Sequence, residues 1–357
     1  MSAPGSIAAW LGRLDAPAAL LAGLAFLLAL TLALAALAGI LRARNALVAR
    51  RWTAVERRWH DLLLHVIAGE RPEAELHAMV RPGEARYLLE VVSRFARRLR
   101  GPERTRCAAV VMPYLPLLVA QASHRDPGLR ARAVHALGLI GMERHADLVL
   151  DALDDPSDFV GMTAMRALAR PAHAAHAPRL VARLDRFEAW DGGFLASVLA
   201  AIGPTVSPPL CGVLADDRRG TRVRWVAAEA LCKLHHLPAG EIAASVAETS
   251  SNRDLVAACL RLLEATGHSG HLPVIRALVA SADEVIRQQA VRALGTLEDP
   301  ARMPGLVAHL ADPSPWVGME AGRALARFEG GRLLSPVAAG RGATATIAAQ
   351  ALMEARA

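Results

Sequence analysis

The sequence predicts an all-α chain, with an N-terminal transmembrane helix followed by an α-solenoid of paired helices. Three observations carry that expectation. Hydrophobic residues make up 53% of the 357, yet Phe, Trp and Tyr together reach only 4%. Ala and Leu therefore supply the apolar content, and residues that favour strands are scarce. Residues 16–41 contain no charged side chain. Beyond about residue 122 a nine-residue pattern returns every 31 residues or so, the mark of a repeat array.

Residues 1–15 form a short tail carrying Trp10, Arg13 and Asp15. The apolar run that follows, APAALLAGLAFLLALTLALAALAGIL, would be about 39 Å long as a helix, more than the roughly 30 Å hydrocarbon core requires. A cleaved signal peptide is the competing reading, since Ala36-Leu37-Ala38 imitates a cleavage site. The length of the run and the missing basic stretch before it favour a retained anchor.

Residues 42–122 read as a basic juxtamembrane helical region. Between 42 and 100 stand thirteen arginines against seven acids, whereas residues 1–41 sum to zero and the last 257 to +1. Arg42, Arg44, Arg50, Arg51, Arg57 and Arg58 directly follow the span, opposed only by Glu56. The positive-inside rule puts that side in the cytoplasm and the N-terminus outside. Trp10 then suits the outer interfacial belt and Trp52 the inner one. The expected location is a bacterial inner membrane, crossed once, with lipid as one partner. The bacterial source is read from forty arginines beside the single lysine, Lys233, a bias of GC-rich coding. Val48, Trp52, Val55, Trp59, Leu62 and Val66 form an apolar seam. It serves either a short two-chain coiled coil or, as the better fit, packing onto the first repeats. Gly69–Glu73 and Arg100–Glu103 punctuate further helices at about 74–80, 84–99 and 105–122.

The solenoid is expected over 123–357, with about seven repeats and a cap. The pattern reads LRARAVHAL (129–137), VGMTAMRAL (160–168), FLASVLAAI (194–202), VRWVAAEAL (223–231), LVAACLRLL (255–263), IRQQAVRAL (286–294) and VGMEAGRAL (317–325), closing with TATIAAQAL (344–352). Its last residues are spaced 31, 34, 29, 32, 31, 31 and 27 apart. Numbered from zero, positions 0, 4, 7 and 8 share one helical face, which makes them core. Asp-Pro or Asp-Asp turns precede most units, and a second helix precedes each turn, as in ADLVLDAL (146–153), PVIRALVA (273–280) and GLVAHLA (305–311).

The segments DDPSDFVGMTAMRALAR (154–170) and ADPSPWVGMEAGRALAR (311–327) resemble HEAT repeats, in particular the short bacterial type named after bilin lyases. That resemblance implies a binding surface rather than a chemistry. The layout of span, basic helix and repeat array is also similar to bacterial membrane-anchored HEAT proteins that accompany membrane glycosyltransferases. It implies an accessory role in an exopolysaccharide system.

Candidate chemistry is thin. The cysteines at 107, 211, 232 and 259 have no close neighbour, which excludes a disulfide framework and a Cys-type zinc site and suits a reducing compartment. Neither a GxGxxG, a Walker loop nor a G-x-S-x-G occurs. His173/His176 and His268/His271 are two His-x-x-His pairs at equivalent repeat positions. Two such imidazoles bind a metal only with a third ligand, and no acid stands at a constant offset from both pairs. Capping of the next helix is the favoured role and metal binding the alternative. The His-Glu dipeptides of HEAT-type di-iron hydroxylases are absent. No enzyme activity, cofactor or nucleic-acid partner is expected.

One stripe suggests recognition. Position 6 lies opposite the core face and carries Arg166, Arg261, Arg292 and Arg323, with Met162, Trp225 and Met319 beside it at position 2. Arginines next to apolar anchors suit a protein-binding groove. Solvation of an exposed face is the competing role, and forty arginines make chance alignment real. The expected function is a membrane-anchored, non-catalytic scaffold for a membrane-associated protein partner, with a metal protein or a lyase- or hydroxylase-type enzyme as the alternative.

Overall fold

In the computed structural model, residues 16–297 and 303–355 are described, and their regular structure is entirely helical. The tail at 1–15, with Trp10, lies outside the described residues. The chain divides into two compact units, Met1–Tyr114 and Leu115–Ala357.

In the first unit the expected span and the basic stretch are one helix, α1, Ala16–Ala68. At 1.5 Å per residue its 53 residues extend roughly 80 Å. No proline interrupts it after Pro17, and it ends at Gly69, whose φ of +87° few other residues adopt. Arg106 closes that end by donating to the carbonyls of Ile67 and Ala68 at 2.9 and 3.0 Å. Every described side chain from Gly23 to Leu47 is exposed, including Arg42 and Arg44, and this part of α1 is long and apolar enough to cross a membrane. A second stretch, Pro102–Ala122, also passes on length and hydropathy, but it divides between the two units and buries Cys107, Val110, Val111, Leu115 and Leu118.

Beyond Arg50 and Arg51, both exposed, α1 buries one face. Trp59, Leu63, Val66 and Ile67 are buried against α2 (Glu73–Met79), α3 (Ala85–Ala96) and α4 (Pro102–Val111). The seam therefore packs within its own unit. Trp52 belongs to that packing: its ring meets Tyr87 edge to face, 4.4 Å between centroids. Half-buried there, it takes part in the packing of its own unit.

The second unit begins at Leu115, eight residues before the expected boundary. The reason is physical: α5 (Leu115–Ala122) packs on α6 (Pro127–Ala136) as the first half of a helix pair. The pattern-bearing helices continue as α8 (Asp158–Leu168), α10 (Gly192–Ala200), α12 (Thr221–Lys233), α14 (Arg253–Thr266), α16 (Glu284–Leu297), α17 (Pro315–Arg327) and α19 (Ala343–Glu354). Most lie directly on the next, and α9 (Ala177–Ala182), α11 (Ser207–Ala215), α13 (Ala239–Thr249) and α15 (Leu272–Val279) stack as a second layer, while α7 (Met142–Asp151) packs on α8 and α18 (Ser335–Ala338) on α19. The expected helix at 305–311 is a 3-10 helix, Met303–Ala311.

Positions 0, 4, 7 and 8 are all buried in the helices α8, α12, α14 and α17. The unit at 194–202 departs from this. Leu195, Ala196, Leu199 and Ile202 are its buried residues, and Phe194 is only half-buried, so the core register there is displaced by one. This unit follows the longest spacing, where the 3-10 turns Pro171–His176 and Leu184–Phe187 lengthen the connection and Phe187 fills the interior.

Candidate partner-binding surface

The position-6 arginines are exposed or half-exposed, as the periodicity requires, but the solenoid pairs them off across repeats. Arg261 Nε donates to Glu229 Oε1 at 2.9 Å, and Arg292 Nε to Glu264 Oε1 at 2.9 Å. Arg323 bridges Glu320 and Glu354, both at 3.1 Å. Arg166 instead stands over the ring of Phe194, 5.8 Å from its centroid. The stripe is thus an alternating ladder of charge that zips neighbouring helices together, and its positive charge is largely spent inside the protein.

Two of the apolar anchors at position 2 are corrected with it. Met162 is only 3% exposed. A helix inside a solenoid is flanked on two sides by other repeats, so its buried face is wider than that of a one-sided amphipathic helix. Trp225 is half-buried, and its ring lies on Gly192, where an added Cβ would stand 2.5 Å from Cζ3. Met319 remains half-exposed.

A second ladder at position 1 was not foreseen. Arg130 grips Asp155 through Nε and Nη2, at 2.7 and 2.8 Å, and Arg287 grips Asp312 in the same way at 3.0 and 2.9 Å. Each arginine also donates to two carbonyls of its own preceding turn, His124 and Arg125 in one repeat, Ser281 and Ala282 in the other. Each aspartate accepts from the amide two residues on, Ser157 or Ser314, both at 2.8 Å. The guanidinium bonds hold both carboxyls below the usual aspartate range, against the opposing effect of burial. The signal was present in the sequence as an Arg at pattern position 1 followed by Asp-Pro-Ser 25 residues later.

The histidine pairs differ from each other. His268 Nδ1 accepts the Gly270 N–H at 3.1 Å, and His271 Nδ1 accepts the His268 N–H at 3.2 Å, so this pair caps its own turn. Beside it stands Glu241 of the preceding repeat, whose Oε1 is 3.3 Å from His268 Nε2 and 3.2 Å from His271 Nε2. Around His173 and His176 no group of three ligand atoms forms among the described residues. Burial pushes all four thiols up, Cys107 to about 11 and Cys259 to about 12, the opposite of an activated nucleophile.

The sequence profile of the HEAT-repeat family matches residues 115–191 and 240–337. The chain carries HEAT repeats. The unmatched stretch between the two HEAT segments contains the unit whose core register is displaced. Among solved structures, the karyopherin Kap121p bound to the extreme C-terminus of the protein phosphatase Cdc14p is 14% identical, covering 76% of this chain and 38% of that one, with a TM-score of 0.48. The CpcE–CpcF complex of phycocyanin lyase from Nostoc sp. PCC7120 is 20% identical over 68% of this chain and 88% of that one, TM-score 0.33. Human deoxyhypusine hydroxylase is 17% identical over 78% and 98%, TM-score 0.31. This chain thus spans well under half of the karyopherin's length. At these values none of the three bears on activity or partner. No curated protein matches the sequence.

Two HEAT repeats expose an aromatic at the same place. Phe159 and Trp316 stand one residue before pattern position 0, just after the Asp-Pro-Ser turn, and are 59% and 61% exposed. Both lie in the two segments that carried the family resemblance, where their position outside the periodic core was the available signal.

Proposed function

We propose that this protein is a non-catalytic scaffold, held in a bacterial inner membrane by α1, whose HEAT array binds a protein partner in the cytoplasm. The observation that carries the reading is the joining of a HEAT array to an apolar helix that its own protein leaves uncovered. No residue in the most apolar window of α1 is buried, and contiguous apolar exposure on that scale calls for lipid or a partner. The arginines from Arg42 to Arg58 then sit on the side the positive-inside rule assigns to the cytoplasm. A membrane enzyme such as a glycosyltransferase is the partner class that the layout implies.

Phe159 and Trp316 are the residues best suited to grip that partner, because exposed aromatics at an interface supply the largest single gains. Crosslinking and capture from native membranes with the full chain tests this. The wild type should retain a partner that Phe159→Ala plus Trp316→Ala loses, while melting changes little, since surface substitutions stay within about 0.5 kcal/mol. Equal capture by the double variant would remove the aromatic edge from the binding surface.

A further inference from the structure

We propose that Glu241, His268 and His271 form a site for a divalent transition-metal ion that staples two successive repeats. The inference is independent of the membrane and of any protein partner. Glu241 lies in the first turn of α13; His268 caps the 3-10 turn Ser269–His271, and His271 closes it and leads into α15. The ligand atoms of all three lie within 4.8 Å of one another. Oε1 of Glu241 is 3.3 and 3.2 Å from the two Nε2 atoms. A tetrahedral zinc ion with bonds of about 2.0–2.2 Å separates its ligands by about 3.3 Å, so the carboxylate already stands at coordination distance from both rings.

Burial supplies a second observation. His271 is 3% exposed, and its buried Nε2 makes no hydrogen bond of good geometry, although Glu241 Oε1 stands 3.2 Å away. A buried polar atom left in that state is costly, and a metal ion would satisfy it. Glu241 and His268 are exposed, which gives an ion a path in and leaves a fourth position to water. Two imidazoles and one carboxylate suit zinc, cobalt or nickel and not calcium or magnesium, which take oxygen ligands.

The second shell limits the affinity. Both Nδ1 atoms accept backbone N–H groups, so the ring proton of each neutral imidazole stands on Nε2. Coordination through Nε2 moves that proton to Nδ1 and gives up both cap bonds. Dedicated sites offer Nδ1–H an acceptor, and lacking one weakens binding by roughly 10–100-fold. The geometry therefore describes a reversible staple rather than a permanent structural metal.

Titration of the purified full chain in detergent with cobalt(II) tests the proposal. One equivalent should give the visible absorption of a tetrahedral centre, and zinc should displace it and raise the melting temperature. Glu241→Gln and His268→Ala both alter exposed residues and should each weaken binding by roughly tenfold or more, whereas His173→Ala plus His176→Ala should leave it unchanged. Absence of the cobalt absorption in the wild type at millimolar metal would overturn the site. So would undiminished binding by the Glu241→Gln, His268→Ala double variant.

Discussion

At the residue scale, two glycines set how closely the repeats approach. Gly138 and Gly295 both stand at pattern position 9, and an added Cβ would lie 2.4 Å from Ala167 Cβ and 2.3 Å from Ala324 Cβ. Ala167 and Ala324 hold position 7 of the following repeat, so small residues meet small residues at matching places in the array. Gly295→Ala should lower stability by about 1–3 kcal/mol through overpacking, although alanine is about 1 kcal/mol the better helix former. Gly212 lies inside α11 with nothing within 4 Å of an added Cβ. Gly212→Ala should therefore raise stability by about 0.5–1 kcal/mol. Thermal melts of the full chain carrying each change check the pair. Stabilisation by both changes would show that helix propensity, not inter-helix clearance, governs these positions.

At the scale of the element, the Arg–Asp staples tie each Asp-Pro-Ser turn to the helix of the repeat before it. Asp312 is buried to 7% side-chain exposure, and it both pairs with Arg287 and holds its own turn through the Ser314 amide. Asp312→Ala removes both bonds and leaves a guanidinium without its anion, a loss of about 2–4 kcal/mol. Asp312→Asn keeps the turn bond and should cost clearly less, which chemical denaturation of the two variants will show. The pairing also fixes a pH response. Asp155 and Asp312 titrate below the unfolded value of about 3.9 because of their arginines. Their stabilisation is complete above about pH 5 and is lost as pH falls from there through the lowered folded values. The melting temperature should drop over that window, and less steeply in an Asp155→Asn, Asp312→Asn double variant. Equal acid slopes would place the response elsewhere. The helices, their order and most core positions were legible because each depends on a period within one helix. The charge ladders left at most a spacing in the sequence, since the pairing of Arg261 with Glu229 or Arg287 with Asp312 depends on the rotation of one repeat against the next. Glu241 escaped for the same reason: it approaches His268 and His271 only when two repeats stack. Met162 escaped because its helix has neighbours on both sides.

At the scale of the whole molecule, the second unit is a protein-built zipper and the first carries an apolar helix whose described side chains are exposed from Gly23 to Leu47. The zipper alters what a charge change tests. Reversing Arg261, Arg292 and Arg323 sets new carboxylates against Glu229, Glu264, Glu320 and Glu354, so stability falls along with any binding. The exposed aromatics Phe159 and Trp316 are the cleaner probes of recognition. The proposed orientation predicts that a reporter active only in the cytoplasm, fused at the C-terminus, is active and that an exported-type reporter there is silent. Anchoring of the scaffold by α1 is tested by alkaline extraction of membranes from producing cells, followed by flotation on a density gradient. The full chain should float with lipid, and a chain lacking residues 16–41 should stay in the soluble fraction. Full chain that leaves the lipid on extraction would contradict the anchor.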